Sequence, residues 1–245
     1  MLLEVCTGGY EDALAAYQGR ADRIELNQAL PLGGLSPSIL VLTMIRETIP
    51  TLQVASMVRP RAGGFCYSEE EYKVMLAECN ALLRAGSHGI VFGILNSDCT
   101  INVERSKRII DLIKTGGREV IFHRAFDNCK DLNTAMETLI ALGVDRVLTS
   151  GGKSTAWEGK EMLCKLQKDY GAKIQILAGS GVNAGNIKAL VDYTGLQQFH
   201  SSCKAWKEDP TTVQNVSYAI PGAPEDFMYD MVAIEKVREL KQLLS

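Results

Sequence analysis

The feature that most constrains the fold is a regular alternation of short apolar segments with longer segments of helical periodicity. The apolar segments are rich in Val, Ile, Leu and Phe and are bounded by Gly, Asp or Asn, which is typical of buried parallel strands. Apolar residues at helical spacing occupy Glu69–Ala85, Val103–Thr115 and Asn133–Leu142. The predicted strands are Leu2–Cys6, Arg23–Asn27, Gln53–Val58, Gly89–Gly93, Glu119–His123, Arg146–Ser150, Ile174–Ala178 and Gln197–Ser201.

A weak internal repeat indicates how these strands are arranged. A Gly-x-polar-x-apolar pattern begins at Gly86, Gly143 and Gly195, and each glycine suits the end of a helix, where φ is positive. A related pattern begins at Arg20. The patterns precede strands two, four, six and eight, so the repeating unit has two strands and two helices. This organisation predicts an α/β fold, a closed TIM (β/α)₈ barrel, in preference to an open doubly wound sheet.

The 245 residues fit a single barrel domain that spans residues 1–245. The alternation breaks only at about residues 204–229, where Pro210, Pro221 and Pro224 accompany little periodicity and predict a long loop. The amphipathic segment Asp230–Leu244 predicts the eighth helix of the barrel.

Composition and charge narrow the class of protein. The net charge is −3, with acids and bases mixed along the chain, so the sequence predicts neither a nucleic-acid partner nor a membrane surface. Seven scattered cysteines without a CxxC pair favour a reducing compartment over a disulfide framework. The first six residues do not resemble a signal peptide. We therefore expect a cytoplasmic protein, and a homo-oligomer is compatible with the sequence.

Strand alternation predicts which side chains enter the barrel. If Ile24 and Leu26 face the helices, their neighbours on the same strand face inward. Applied to all strands, this parity places ionisable groups near the carboxyl ends, where barrel enzymes carry their reactive groups. A functional site explains this convergence better than a structural polar core does. The inward-facing ionisable residues are Glu4, Glu25, Arg59, His123 and His200.

Four of the charged residues at the strand ends are candidate catalytic residues. Glu25 and His123 could act as an acid–base pair, although an ion pair between Glu25 and Arg59 is the structural alternative. Arg59 and Arg61 flank a proline and could clamp a carboxylate or phosphate. Asp127 is first a loop anchor and second a ligand contact.

Loops after the late strands could bind an anion through backbone N–H groups, as they commonly do in this fold. Glycine at these positions could also simply turn the chain. The candidate binding residues are Arg61, Ser150, Gly151, Gly179, Ser180, Gly181, His200 and Ser201.

The cysteines suggest a second kind of ligand. Five of them fall on the C-terminal side of the predicted barrel, and soft thiolates on one rim could hold Cu(I). Cysteine also packs as a small hydrophobic residue, and no two cysteines here share a metal-ligand spacing. The residues alone therefore leave both interpretations open.

A set of strand-end motifs keeps its order and spacing from the start of the chain to about residue 203. The motifs are Leu3–Cys6, Ala21–Leu26, Gly33–Ser38, Val58–Arg61, Phe65–Ser68, Val91–Gly93, Phe122–Asp127, Val147–Gly151 and Phe199–Ser202. In this combination the chain resembles the CutC copper homeostasis protein family. The resemblance implies a TIM barrel, a cytoplasmic location and a role in copper handling, with Cu(I) bound by cysteine in some members.

The chain departs from the pattern of that family at three places. The family usually has cysteine after Ile-Glu-Leu, where this chain has Asn27; an acidic residue is missing between Arg61 and Phe65; and Ser180 interrupts a glycine triplet. Cys6 and Cys66 are then the candidate Cu(I) ligands. The rival hypothesis is an enzyme that acts on a small phosphate- or carboxylate-bearing molecule, with Glu25 and His123 as its acid–base pair.

Overall fold

The computed structural model describes residues 1–245 and closes eight parallel strands into a barrel. The strands pair in chain order, and the first also pairs with the eighth, so the barrel sheet has no free edge. This confirms the TIM barrel that the alternation predicts. The barrel strands are β1 (Leu2–Thr7), β2 (Arg23–Leu26), β3 (Gln53–Met57), β4 (Gly89–Phe92), β5 (Glu119–Phe122), β6 (Arg146–Thr149), β7 (Gln175–Ala178) and β8 (Gln198–Ser201).

Eight α-helices lie outside the barrel, and several begin at a residue whose side chain caps the helix. Ser68 accepts a hydrogen bond from the backbone of Glu71 and forms a capping box with it, while Asp131 caps the fifth helix. The helices are α1 (Tyr10–Gln18), α2 (Ile39–Thr48), α3 (Glu69–Arg84), α4 (Val103–Thr115), α5 (Leu132–Leu142), α6 (Lys160–Tyr170), α7 (Ile187–Thr194) and α8 (Ile234–Leu243). No helix combines the length and apolar character needed to cross a membrane.

The main hydrophobic core lies between the barrel and its helices, where 51 buried residues form one cluster. Inside the barrel the apolar cluster is small and consists of Ala55, Met57, Val91 and Ile121. In β5, Glu119 precedes Ile121 and His123 follows it, so polar side chains lie along the axis on both sides of this cluster. The interior is therefore divided into two polar ends separated by an apolar layer.

The polar residues at the N-terminal end of the barrel bind one another. Arg23 forms an ion pair with Glu4 and donates to Gln198, while Arg146 donates to Glu119 and Gln175. All of these except Glu4 are the first residues of their strands. This end of the barrel is closed by a network of internal ion pairs and hydrogen bonds.

Residues 204–229 contain more regular structure than the predicted long loop. The antiparallel strands β9 (Lys204–Glu208) and β10 (Met228–Val232) form a ribbon outside the barrel, and α8 begins at Ile234 and not at Asp230. The ribbon is held by pairing from Met228 with Glu208 to Val232 with Lys204, and a search for local periodicity does not detect pairing between residues so far apart. The loop prediction is therefore wrong at both ends of this segment.

Candidate functional site

A cavity of about 800 Å³ opens at the C-terminal mouth of the barrel. Its volume lies in the range of small-molecule sites in proteins. The wall includes the ends of seven barrel strands or the loops that follow them, together with part of α8. Eight of the predicted site residues line the cavity: Cys6, Glu25, Arg59, His123, Ser180, Gly181, His200 and Ser201.

Cys6, Glu25 and His200 form the most concentrated chemical group in the cavity. One potential ligand atom from each lies within 4.8 Å of the others. Cys6 Sγ is 3.7 Å from Glu25 Oε2, and His200 Nε2 is 4.0 Å from the same oxygen. β1, β2 and β8 are neighbours in the closed sheet, which is why residues far apart in sequence meet here. The sequence analysis predicted an acid–base pair of Glu25 and His123. In the structure the imidazole beside Glu25 is that of His200.

Asn27 completes this group. Its Nδ2 donates to Glu25 Oε2 at 2.9 Å and lies 3.5 Å from Cys6 Sγ. Glu25 Oε1 and Asn27 Oδ1 have no protein partner although both atoms are buried. A buried polar atom without a partner is unfavourable unless a ligand or ordered water satisfies it. The group therefore retains the capacity to bind something further.

The electrostatics of this group follow from burial and from a second carboxylate. Burial opposes ionisation of Glu4, but Arg23 and His200 hold its pKa well below the usual range. Burial also favours a neutral His200, yet Glu25 and Glu4 raise its pKa. Burial raises the pKa of Glu25 and raises that of Cys6 well above its usual value, with Glu25 adding to the effect at Cys6. A bound cation would favour the ionised forms of Glu25 and Cys6 and would so oppose the effect of burial on their pKa values.

His123 is held as a neutral hydrogen-bond donor. Its Nδ1 accepts the backbone N–H of Ala125 at 3.1 Å, which places the proton of the neutral ring on Nε2. That Nε2 is buried and has no protein partner. Burial, with the nearby Arg59 guanidinium, lowers the pKa of His123 to about 3. His123 is thus suited to donate a hydrogen bond to a ligand, and not to act as a general base.

Gly93 makes the position of His123 possible. A β-carbon at residue 93 would lie 2.5 Å from His123 Cε1 and 2.6 Å from its Nδ1. Such contacts are far too short for real atoms, so only glycine leaves room for the imidazole directly after β4. Gly93 is a site determinant that the sequence prediction missed. The sequence did offer a signal, because strand alternation places Gly93 on the inward-facing side at the end of a predicted strand.

Arg59 stabilises the loops at the mouth through hydrogen bonds and places a positive charge in the cavity wall. Its guanidinium donates to the carbonyl oxygens of Gly33, Gly34 and Gly63, at 3.0, 2.9 and 2.8 Å. It also lies over the Phe65 ring, which in turn packs against His123. Arg59 is buried and has no carboxylate partner, so the ion pair with Glu25 does not form.

Six predicted site residues lie outside the cavity wall. Asp127 accepts hydrogen bonds from Arg124 and from the backbone of Ser150 and Gly152, so it anchors the loop after β6. Ser150 and Gly151 belong to that same loop, and Gly179 packs closely against Leu148. The other two, Arg61 and Cys66, belong to the loop after β3.

That loop has its own internal contacts. Arg61 forms an ion pair with Glu71 and donates to the carbonyl of Cys66, whose side chain is exposed. Arg61 therefore does not form a clamp with Arg59, and Cys66 is not part of the group around Cys6. The predicted pairs at these two positions do not form, because Arg61 is paired with Glu71 and the Cys66 side chain is exposed.

Two lysines in the cavity wall were not predicted. Lys204 begins β9 and Lys236 lies on α8. Both come from the segment that the sequence pattern describes least well, and no motif marks them. With Arg59 and Arg124 they give the wall four cations against the two carboxylates of Glu25 and Glu239.

The sequence model of the CutC family matches residues 1–205. The chain belongs to the CutC family. Among its relatives, the family protein CutC of Treponema denticola is 39% identical over 244 residues and covers 98% of both chains. That of Glaesserella parasuis is 36% identical and covers 100% of this chain and 99% of its own. Membership of the CutC family confirms the resemblance drawn from the strand-end motifs.

Solved structures agree with this assignment. The putative copper homeostasis protein CutC from Streptococcus agalactiae superposes with a TM-score of 0.78 at 29% identity, covering 82% of this chain and 98% of that one. The 3-hexulose-6-phosphate synthase from Salmonella typhimurium gives a TM-score of 0.61 at 16% identity, over 100% of this chain and 98% of its own. The second likeness shows the shared barrel fold alone.

Proposed function

We propose that this chain is a copper homeostasis protein of the CutC type that binds Cu(I) in the cytoplasm. The observation that carries the proposal is the group formed by Cys6, Glu25 and His200, whose potential ligand atoms lie within 4.8 Å of one another. A thiolate is a soft ligand that favours Cu(I), and an imidazole is a common partner for copper. The Streptococcus agalactiae relative is described as a putative copper homeostasis protein, which supports the same role.

The group in this structure differs from the predicted pair of thiols. In the proposed site Cys6 is a ligand, as expected from the sequence, and His200 and Glu25 take the place of Cys66 as its neighbours. Asn27 stands where the family usually has cysteine, and its side chain lies 3.5 Å from Cys6 Sγ. A second thiol would therefore be adjacent to Cys6 in such relatives. With one thiol only, we expect this chain to bind Cu(I) more weakly than they do.

A competition titration tests the copper proposal. The reduced protein is titrated with Cu(I) against a chelator of known affinity, as wild type, Cys6→Ser and Cys66→Ser. We expect Cys6→Ser to weaken binding at least tenfold, while Cys66→Ser, whose thiol is exposed and outside the cavity, leaves it unchanged. Unchanged affinity in Cys6→Ser would exclude the mouth group as the copper site.

The cytoplasmic assignment rests on thiol chemistry. All seven cysteines are free, and Cys79 and Cys203 are buried within the protein. Free thiols persist in reducing compartments, where glutathione and thioredoxin keep them reduced. Fractionation of cells that produce the protein would test this, since recovery from an oxidising compartment would contradict it.

A second candidate function is an enzyme that acts on a small phosphate- or carboxylate-bearing molecule. The cavity favours it, because a single metal ion does not require 800 Å³ or a buried histidine donor such as His123. The raised pKa of Glu25 makes its carboxylate a stronger base, and Arg59 favours an anionic substrate.

The enzyme function can be tested separately from copper binding, because it requires turnover of a substrate. Incubation with a metabolite extract, followed by mass spectrometry, would detect turnover. We expect Glu25→Gln to abolish that turnover and Cys66→Ser to leave it intact. A metabolite consumed equally by wild type and Glu25→Gln would overturn the proposed role of Glu25 as the base.

A further inference from the structure

The loop after β7 presents an unusual arrangement of backbone groups. Ser180 and Gly181 both have φ in the left-handed region, at 76° and 71°. The carbonyl oxygen of Ser180 accepts from the Ala156 amide, and that of Val182 accepts from Ser201 Oγ. Gly181 receives two side-chain amide donors at its carbonyl, from Asn183 and Asn186. All three carbonyls are thus bound within the protein.

The backbone N–H groups of the same three residues, unlike their carbonyl oxygens, have no hydrogen-bond partner in the protein. None of the N–H groups of Ser180, Gly181 and Val182 donates to a protein acceptor, and all three residues line the cavity. Ser202, at the end of β8, likewise lines the cavity with an amide that has no protein acceptor. Successive backbone N–H groups around left-handed residues form concave sites that bind anions. This wall of the cavity has unused donors and no unused acceptor among these carbonyls.

A second, independent observation lies on another wall of the same cavity. His123 is 4% exposed, yet its Nε2 has no protein partner. The tautomer is fixed by the Ala125 amide at Nδ1, so Nε2 offers a proton and no lone pair. His123 follows β5 and the Ser180 loop follows β7, so the two sets of donors are placed to contact different atoms of a ligand.

Charge on the cavity wall favours an anionic ligand that carries further oxygen atoms. Arg59 and Lys236 have no carboxylate within 4 Å, whereas Arg124 is paired with Asp127 and Lys204 with Asp230. Arg59 and Lys236 are therefore the cations of the wall that could face an anionic ligand without a competing carboxylate partner. A phosphate group matches the amide loop because it offers several acceptor oxygens, and a carbonyl or hydroxyl oxygen matches the single His123 donor.

We propose that the cavity binds a small phosphorylated carbohydrate, with its phosphate at the amides of Ser180, Gly181 and Val182 and another of its oxygens at His123 Nε2. The inference rests on the second function proposed above and specifies its ligand class. It does not depend on copper, because the Cys6 group contributes neither set of donors. Cavities of about 300–1,000 Å³ hold ligands of this size.

Nuclear magnetic resonance titration of the full chain tests both contacts at once. The probes are ribose 5-phosphate, ribose and inorganic phosphate. We expect ribose 5-phosphate to bind at least tenfold more tightly than the other two and to shift the amide resonances of Ser180, Gly181 and Val182. Equal affinity for all three probes, or binding without shifts at these amides, would overturn the inference.

Variants at position 123 separate a hydrogen bond from simple packing. His123→Phe keeps an aromatic ring but removes the donor, so we expect about a tenfold loss of ribose 5-phosphate affinity. His123→Gln retains an N–H donor, and we expect it to recover most of that loss. His88→Gln is the matched control, because His88 also accepts a backbone N–H at Nδ1 but lies outside the cavity.

The carboxylate alternative has its own probe. If glycerate shifts the three amides and ribose 5-phosphate does not, the phosphate assignment is wrong, although the proposed enzyme function stands. If His123→Phe and His123→Gln bind ribose 5-phosphate as tightly as wild type, His123 has no part in binding and the two-point site is overturned.

Discussion

The two ends of the barrel interior are both lined by buried charged residues, but their hydrogen bonding differs. At the N-terminal end, Arg23 is paired with Glu4, and Arg146 is paired with Glu119. At the C-terminal mouth, Glu25 Oε1 and His123 Nε2 have no partner. The N-terminal residues bind one another and leave a single buried atom, Arg146 Nη1, without a hydrogen-bond partner. Four buried atoms at the mouth lack a partner and remain available to a ligand: Glu25 Oε1, Asn27 Oδ1, Arg59 Nε and His123 Nε2.

This difference shows that burial of a charge does not identify a site by itself. Charged residues at either end satisfy the same inward parity, and only their partners distinguish structure from function. Glu4 illustrates the point, because it belongs to the N-terminal network through Arg23 and also holds His200 at 2.8 Å. It is a positioning residue for the mouth and not a ligand contact.

The largest effect should come from breaking the N-terminal network. Arg23→Met removes the main cation beside a carboxylate that is 1% exposed, and we expect a loss of about 3–5 kcal/mol in the free energy of unfolding. Glu25→Gln at the mouth should change stability by less than about 1 kcal/mol, because burial already favours the neutral carboxyl group. Urea unfolding of both variants measures this contrast. Equal losses would mean that the mouth is as structural as the other end.

A smaller effect is expected from filling the space beside His123. Gly93→Ala would place a methyl group 2.5 Å from the imidazole, and overpacking of this kind costs about 1–3 kcal/mol. The displaced ring should also bind ribose 5-phosphate less tightly. Gly64→Ala is the control, since nothing lies within 4 Å of its added β-carbon. Similar melting temperatures for Gly93→Ala and wild type would show that the pocket around His123 is loose.

Restoring the family cysteine should strengthen the metal site. Asn27→Cys places a second thiol next to Cys6 Sγ, from which Asn27 Nδ2 is now 3.5 Å away. We expect Cu(I) affinity to rise about tenfold, equivalent to about 1.4 kcal/mol. The double variant Cys6→Ser, Asn27→Cys should lose this gain. A chelator competition that shows no gain in Asn27→Cys would argue against copper at the mouth.

The two histidines should contribute to stability in opposite pH ranges. Burial and Arg59 lower the pKa of His123 to about 3, so its contribution to stability is present above the ordinary value of 6.5 and is lost as pH falls toward 3. The pKa of His200 is raised by Glu25 and Glu4. Its contribution to stability is therefore present below the ordinary histidine pKa and is lost as pH rises through the raised pKa. Nitrogen chemical shifts between pH 5 and 8 should show His123 constant, with its proton on Nε2. Titration of His123 in that range would contradict the assignment.

Much of the fold could be predicted because its pattern is local. Alternation along β2 and β5 sets the inward parity of Glu25 and His123, and the capping residues Ser68 and Asp131 mark helix starts. The β9–β10 ribbon could not be predicted in this way, because its pairing joins residues as distant in sequence as Lys204 and Val232. That the chain forms a single domain over residues 1–245 stays a prediction, as does a homo-oligomer.

The candidate site could be predicted only to the level of which residues face inward. Parity does not say which inward residues are neighbours, and the closed sheet places His200 beside Glu25 through β1. It also says nothing of loops, so Arg61 and Cys66 turned out to lie away from the cavity. The direction of the His123 hydrogen bonds depends on one backbone amide that no sequence pattern reveals.

X-ray absorption at the copper edge tests most directly whether the barrel mouth is a ligand site. The protein is loaded with one equivalent of Cu(I), as wild type, Cys6→Ser and His200→Gln, with His88→Gln as the control. We predict one sulfur and at least one nitrogen or oxygen neighbour in wild type, with the sulfur lost in Cys6→Ser and the imidazole signal lost in His200→Gln. Copper bound by two sulfurs, and unaffected by either substitution, would place the metal elsewhere and contradict this account.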